Sequence, residues 1–287
     1  MNKFMRQYKL EITTETGEVV TITNPLTVDF NITVKNFATS AQADFKVYNL
    51  SQSSRDIIFR DWSQTYLPNP VIMPIKFYSG YVDSAPLVFT GEVKVAKSYR
   101  QSGQTNFITG ITAFEYGDAE VNGHSSFTMP AGTTKRNAIL RLINDLQGVS
   151  LGFVSDFPET YQRAVTFMGN TADKLRELTG GLFFVHHGKA FVIKQGDFIA
   201  GDLVTLDSFT GLLGVPELDR DVVTAEVLFE PRLICGQKIA LKTEDYQRLN
   251  DDYIVVGFNH SGTISDAVSG KIKTTVRMKK LKSVVAV

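Results

Sequence analysis

This chain of 287 residues has little of what usually announces a chemistry. It carries one cysteine, Cys235, so no intrachain disulfide can form. A buried thiol in a protein made in a reducing cytoplasm is the expectation. No window approaches the roughly 20 apolar residues of a membrane-spanning helix. The basic opening MNKFMRQYKL lacks the apolar run of a signal peptide. An excess of charge is also missing: 30 basic residues balance 30 acidic ones, which argues against a general nucleic-acid binder while leaving room for a local basic patch. A single tryptophan, Trp62, gives little support to a carbohydrate groove lined by exposed aromatics. No glycine-rich run is followed by lysine and serine, so no nucleotide site is indicated.

The candidates for catalysis and metal binding are equally thin. His186 and His187 are adjacent and are expected to point apart, which keeps them from sharing one metal. His124 and His260 are distant in sequence, and Cys235 has no partner at a metal spacing. A glycosidase needs two carboxylates held on either side of the scissile bond. Glu115, Asp118 and Glu120 cluster, and Asp219 and Asp221 would share a face if extended, but neither group has a flanking signature. Ser51 and Ser261 lie in no nucleophile elbow. The expectation is a non-enzyme with no catalytic, cofactor-binding or metal residues and no cofactor.

What the chain has is strand pattern, with 20 Phe and 10 Tyr set mostly in strand-like runs. Residues 43–117 look like its organising stretch. Asp44-Phe45-Lys46-Val47-Tyr48 alternates with period 2, and Ser51 is placed to cap a helix over 52–60 with Ile57, Ile58 and Trp62 inward. Turn-prone Ser79-Gly80, Asp83-Ser84 and Ser102-Gly103 divide a meander after it. Before it, Thr16-Gly17 reads as a hairpin turn, and residues 28–34 alternate with Asp29, Asn31 and Thr33 on the polar side. The pattern changes near 124. A helix begins at Thr133, its stripe Ile139, Leu142, Ile143 and Leu146 stopping at Gly148. A second helix comes after Asn170, and a hairpin turns through His187-Gly188-Lys189.

Residues 210–216 read as a glycine-punctuated link. Strands then return to the end, the last with Ile272, Thr274, Val276 and Met278 on one side and Lys271, Lys273 and Arg277 on the other. Phe89, Phe114, Phe229 and Phe258 are expected in the core, and Gly80, Gly91, Gly110, Gly211, Gly214 and Gly262 at turns or bulges. The fold class expected is mainly β: two tube-like β-barrel or sandwich domains at 1–123 and 201–287 with a small α/β module at 124–200 between them.

Taken in order, several segments resemble the baseplate hub proteins of contractile-tailed bacteriophages. They are Val47-Tyr48-Asn49-Leu50-Ser51 followed by Arg55, Gly80-Tyr81, Val88-Phe89-Thr90-Gly91-Glu92-Val93, residues 106–110, and Ala131-Gly132-Thr133-Thr134 before a helix. Gly211-Leu212-Leu213-Gly214-Val215-Pro216, the 228–236 run with Pro231 and Gly236, and His260, Gly262 and Thr263 continue the series to about Val276. The stretch 65–74, broken by prolines, and residues 118–130 depart from the pattern. The chain is short for such a hub and shows no appended wall-degrading or carbohydrate-binding domain.

The resemblance extends to the hub part of contractile secretion spikes and tailocins. It implies a homotrimer, each subunit giving two β units to a pseudo-sixfold ring that adapts the sixfold tail tube to a threefold central spike. The implied partners are the tail tube or distal tube ring protein, the spike, and in addition the tape measure protein and inner baseplate wedge proteins. DNA would pass the lumen without specific binding. The implied place is the baseplate of the virion tail, after synthesis in the host bacterial cytoplasm. A distal tail or tube-completion protein forming a hexameric ring is the alternative. On this reading the neutral and acidic row Asp29, Asn31 and Thr33 lines the lumen, and the basic row Lys271, Lys273, Arg277, Lys279, Lys280 and Lys282 faces protein or solvent elsewhere.

Overall fold

Period-2 alternation builds most of the molecule, and its buried members meet in three apolar clusters. A computed structural model describes residues 6–35, 40–61, 63, 71–81, 84–103, 105–115, 122–266 and 270–281. The readings placed on Trp62, Asp83, Asp118, Glu120, Lys282 and residues 65–70 lie outside the described residues.

The chain begins β1 (Arg6–Thr13), β2 (Val19–Thr23), β3 (Val28–Lys35) and β4 (Gln42–Tyr48), followed by helix α1 (Gln52–Ile58). Strands β5 (Pro74–Tyr81), β6 (Leu87–Arg100) and β7 (Phe107–Phe114) complete the first third. The middle runs β8 (His124–Met129), α2 (Lys135–Asn144), β9 (Ser150–Val154), β10 (Val165–Asn170), α3 (Thr171–Thr179), β11 (Phe183–His186) and β12 (Lys189–Val192). The last third holds β13 (Ile199–Leu206), β14 (Leu212–Asp219), β15 (Val222–Leu228), β16 (Gln237–Leu241), β17 (Asp251–Ile264) and β18 (Ile272–Lys280). The fold is therefore mainly β. Among the described residues no helix is long and apolar enough to cross a membrane.

Caps fix the helices where the side chains predict them. The Ser51 hydroxyl accepts from the Ser54 N–H at 3.1 Å, Thr134 from Asn137 at 3.3 Å and Asn170 from Asp173 at 3.0 Å. Gly180 closes α3 in the left-handed region with φ 67°. Helix α1 corrects one expectation: Ile58 is fully buried but Ile57 is exposed. One helical step of about 100° carries neighbouring side chains to different faces, so only one of the pair reaches the core. Phe114 is a second correction, half-buried on the outer face of β7 because Ala113 takes the inward place.

Eleven strands follow one path in a 13-stranded sheet, in the order β14-β15-β18-β17-β3-β4-β7-β6-β5-β1-β2, with β16 joining at β17 and β13 pairing β16. Two long strands turn its corners. The first part of β6 pairs with β5 through Glu92, and the rest runs beside β7 as far as Arg100. Strand β17 pairs β16 over residues 251–254 and β3 over residues 257–264, with β18 along its other edge. The expected link at 210–216 is instead the start of β14. A register shift between Leu213 and Glu217 takes up Gly214 and Pro216 there, so the glycine and proline bulge the strand without ending it.

The first cluster fills the space under β1–β7 with Phe30, Phe45, Phe77 and Phe89, and takes in Phe229, Ile264 and Ile272 from the last third. A second gathers Val204, Leu206, Ile239, Val255, Phe258 and Met278 with Phe184, Phe191 and Ile193. The third packs α2 and α3, through Ile139, Leu142, Ile143 and Leu175, on Phe167, Phe183 and Val192.

At the first corner, a Cβ on Gly91 would stand 2.5 Å from the Phe114 carbonyl oxygen and 2.8 Å from the Phe89 ring. Backbone cannot give way as a flexible side chain can. Gly91→Ala is expected to destabilise the fold by about 1–3 kcal/mol, the usual cost of overpacking. Urea unfolding would show this as a lower midpoint, and an unchanged midpoint would contradict the close approach.

Candidate assembly face

Directly paired residues in a sheet share a face, so the register defines one surface running across both halves of the chain. One row reads Val95, Thr112, Asp44, Asn31, Ser261, Lys273 and Leu228. The next reads Phe114, Gln42, Thr33, Asn259, Thr275, Glu226 and Leu213. Eight strands from β14 to β6 contribute to this face.

Cross-strand hydrogen bonds lock it. Asp29 accepts from the Tyr48 hydroxyl at 2.7 Å and from the Thr263 hydroxyl at 2.6 Å. That bond to Asp29, with burial, pushes the Tyr48 phenol up to about 12. The Asn259 amide donates to Asn31 and to the Thr33 hydroxyl, each at 2.8 Å, and the Thr112 hydroxyl donates to Asp44 at 2.8 Å. Asn31, Thr33, Asn259 and Thr263 thus join the two halves across β3 and β17, more than 220 residues apart in sequence.

Lys273, Arg277 and Lys279 of the basic row lie on this face, contrary to the expectation that the row faces elsewhere, whereas Lys280 takes the opposite side of β18. Lys273 sits beside Ser261, and Arg277 beside Gly257 and Lys35, on the same face as Asn31 and Thr33. Sequence alternation assigns a residue to a side of its own strand, but only strand pairing says which sides become one surface. Lys273 meets Glu226, and Lys279 meets Asp221 at 2.8 Å, so the wall carries both signs.

Behind this face lies a buried polar junction. Glu115, just after β7, is 3% exposed and accepts from the His187 N–H. The His186 Nδ1 is 4.0 Å from its other oxygen. Burial pushes Glu115 up to about 8, against the His187 hydrogen bond that pulls it down. His260 donates or accepts at 2.8 Å with Thr274, and burial brings it down to about 3. Burial also lowers His186 and His187 and raises the Cys235 thiol.

The expectation that His186 and His187 point apart fails: their rings stack at 4.0 Å with 21° between planes. His187 has φ 48°, and a left-handed residue breaks the alternation that an extended pair would follow. His186 and His260 are buried, and His187, in the hairpin turn, is nearly so. His124 is the exposed one, at the start of β8.

The other candidates disperse. Ser51 caps α1, and Ser261 lies on the polar face. Asp219 and Asp221 flank Arg220, whose φ of 57° makes a turn, so they are not consecutive outward residues of an extended strand. No group of three or more His, Cys, Asp or Glu is arranged to hold a metal among the described residues. The chemistry this arrangement offers is backbone edges, polar rows and apolar patches.

The family model described as "Baseplate hub gp41" matches residues 9–263. The chain belongs to this baseplate hub family. No curated protein matches the sequence significantly. Among solved structures, the hub chain is similar to a tail protein from Neisseria meningitidis MC58, with 10% identity, 96% of this chain and 97% of that one covered, and a TM-score of 0.64. It is also similar to the 43 kDa tail protein of prophage MuSo2 from Shewanella oneidensis, with 9% identity, 95% and 96% coverage and a TM-score of 0.61. A third similar structure is an E. coli type VI secretion component, itself described as structurally similar to the T4 bacteriophage tail proteins gp27 and gp5. It has 10% identity, covers 90% of this chain and 75% of its own, and gives a TM-score of 0.56. At such identities the likeness is one of fold. The baseplate hub assignment rests on the family match, and with it the place in the phage tail.

Proposed function

We propose that this baseplate hub protein assembles as a homotrimer into a pseudo-sixfold ring. The ring adapts a sixfold tail tube to a threefold central spike and surrounds the DNA channel. The observation that carries this reading is a repeated strand order. In chain order, β3, β4, β6 and β7 lie side by side as first, second, fourth, third, and β14, β15, β17 and β18 lie in the same order. Each half thus offers one four-stranded unit to a continuous polar face, which is why three chains can imitate six.

The dimensions agree. Three chains with eight strands each give 24 strands, and at about 4.8 Å per strand the perimeter is about 115 Å, or about 37 Å across between backbones. Side chains narrow that to an opening suited to a double helix. Six copies would instead give about 73 Å by the same spacing, too wide to hold DNA closely. Lysines paired as Lys273 is with Glu226 grip phosphate weakly, which suits passage without specific binding.

On this reading the division into β units at 1–123 and 201–287, with the α/β module at 124–200, has the two units in the ring and the module outside it. The neighbours are the tail tube or distal tube ring protein on one side and the spike on the other. The tape measure protein and the inner wedge proteins are further contacts. The protein acts by assembly and catalyses nothing. Native mass spectrometry of the full chain, with cryo-microscopy of the ring, is expected to give three copies around an open channel. Six copies would favour the distal tail or tube-completion alternative, and copies that enclose no channel would end both.

A further inference from the structure

The repeated strand order makes a prediction about how one copy meets the next. Within the chain, the two units are joined where β17, third in its unit, pairs antiparallel with β3, first in the other. The same roles are held by β6 and β14, and both have an open edge. Among the described residues, strand β14 pairs only with β15. On β6, strand β5 ends at Glu92 and Arg60 bridges Ala96, after which residues 97–100 carry no strand on that edge among the described residues. We propose that β14 of one copy adds antiparallel to residues 97–100 of β6 in the next copy, repeating between molecules the joint already made within each. The proposal rests on the ring reading and names its contact.

The surfaces beside the two edges fit each other. Along and before β14, Phe209 is 94% exposed, Val215 47% and Leu213 39%. Beside β6, Tyr99 is 42% exposed, and Phe59 helps line a groove of about 640 Å³ between α1 and β6 together with Arg55, Ser98 and Phe107. In the internal joint, Val28 at the start of β3 faces Ile264 at the end of β17. The same direction sets Leu212 near Arg100 and brings Phe209, three residues earlier, to the groove.

Charge agrees at one point: with the β14 bulge absorbing two residues, exposed Glu217 comes opposite exposed Lys97, which also pairs with Asp61 at 2.8 Å. A free strand edge flanked by apolar residues is a liability unless something covers it, and here the matching cover is a second copy of this chain. Such a head-to-tail contact is heterologous, and three of them close.

Two cysteines test the joint. The full chain carrying both Tyr99→Cys and Leu213→Cys, treated with a short bis-maleimide that tolerates a register offset, is expected to give linked dimers and trimers. Either substitution alone is expected to give none, because a heterologous joint holds one of each. Ladders from a single variant would overturn the proposal by revealing a self-complementary contact. A trimer by light scattering that the double variant fails to link would overturn it while leaving the ring reading intact. A chain that stays monomeric and unlinked at every concentration would overturn both. In parallel, Phe209→Asp is expected to weaken trimer formation at least tenfold with unchanged monomer melting. An unchanged dissociation constant would remove Phe209 from the contact.

Discussion

Phe77→Ala is expected to cost about 3–5 kcal/mol, the range for emptying a large aromatic site in a packed core. The Phe77 ring is fully buried and stands at the centre of an aromatic group, 5.0 Å from Phe45, 5.1 Å from Phe30 and 6.4 Å from Tyr8 between centroids. These neighbours come from β1, β3 and β4, strands that cannot close in on the void without leaving their ladders. A domain is stable by only about 5–15 kcal/mol, so the variant should sit near the edge of folding. Urea titration followed by tyrosine and tryptophan fluorescence would measure the loss. A cost below about 1 kcal/mol would mean that this cluster collapses freely and is not close-packed.

The second large effect is a pH dependence centred on Glu115. Its carboxyl is raised from 4.5 to about 8, so the folded chain keeps a proton that the unfolded chain has given up over that interval. Stability from this group is full below about 4.5 and is lost as pH rises towards 8. The histidines act in the opposite sense. His260 falls from 6.5 to about 3, so its contribution is full above 6.5 and is lost as pH falls below that value. His186 and His187, also lowered, add to the acid side.

Between pH 6.5 and 8, Glu115 is then the member of this junction that sets the slope. At about 1.4 kcal/mol per pKa unit, the loss over that window is about 2 kcal/mol. Glu115→Gln keeps an acceptor for the His187 N–H and removes the titration. The melting temperature of the variant should stay nearly level from pH 6.5 to 8 while that of the parent falls. Parallel curves would place the alkaline sensitivity elsewhere.

Much of the fold is legible in the residues. Alternation in 28–34 and 43–48 marks two central strands, Ser51, Thr134 and Asn170 announce their helices, and His187-Gly188 announces a hairpin. The corner glycines are legible for a different reason: Gly91 and Gly262 stand where backbones approach too closely for a Cβ, so only glycine fits there without a shift. What could not be read is what pairs with what. The β3–β17 joint links Asn31 to Ser261, and no local pattern encodes a partner so distant in sequence. For the same reason the basic row was set apart from the polar row it adjoins. The histidine junction was hidden by one residue: a positive φ at His187 turns a pair that ought to diverge into a stack. Gly214 and Pro216 read as a link because such residues usually mark a strand's end, whereas in β14 the extra residues are absorbed by a bulge.

Strand β17 is 14 residues long and hydrogen-bonded on both edges, one side to β18 and the other to β16 and then β3. It acts as a splint. The joint between the halves is a main-chain ladder, which every amino acid except proline can supply alike, with the side-chain bonds of Asn31, Thr33 and Asn259 reinforcing it. A ladder of that kind asks little of the side chains that point outward, and the overall shape is shared at 10% identity with a tail protein from Neisseria.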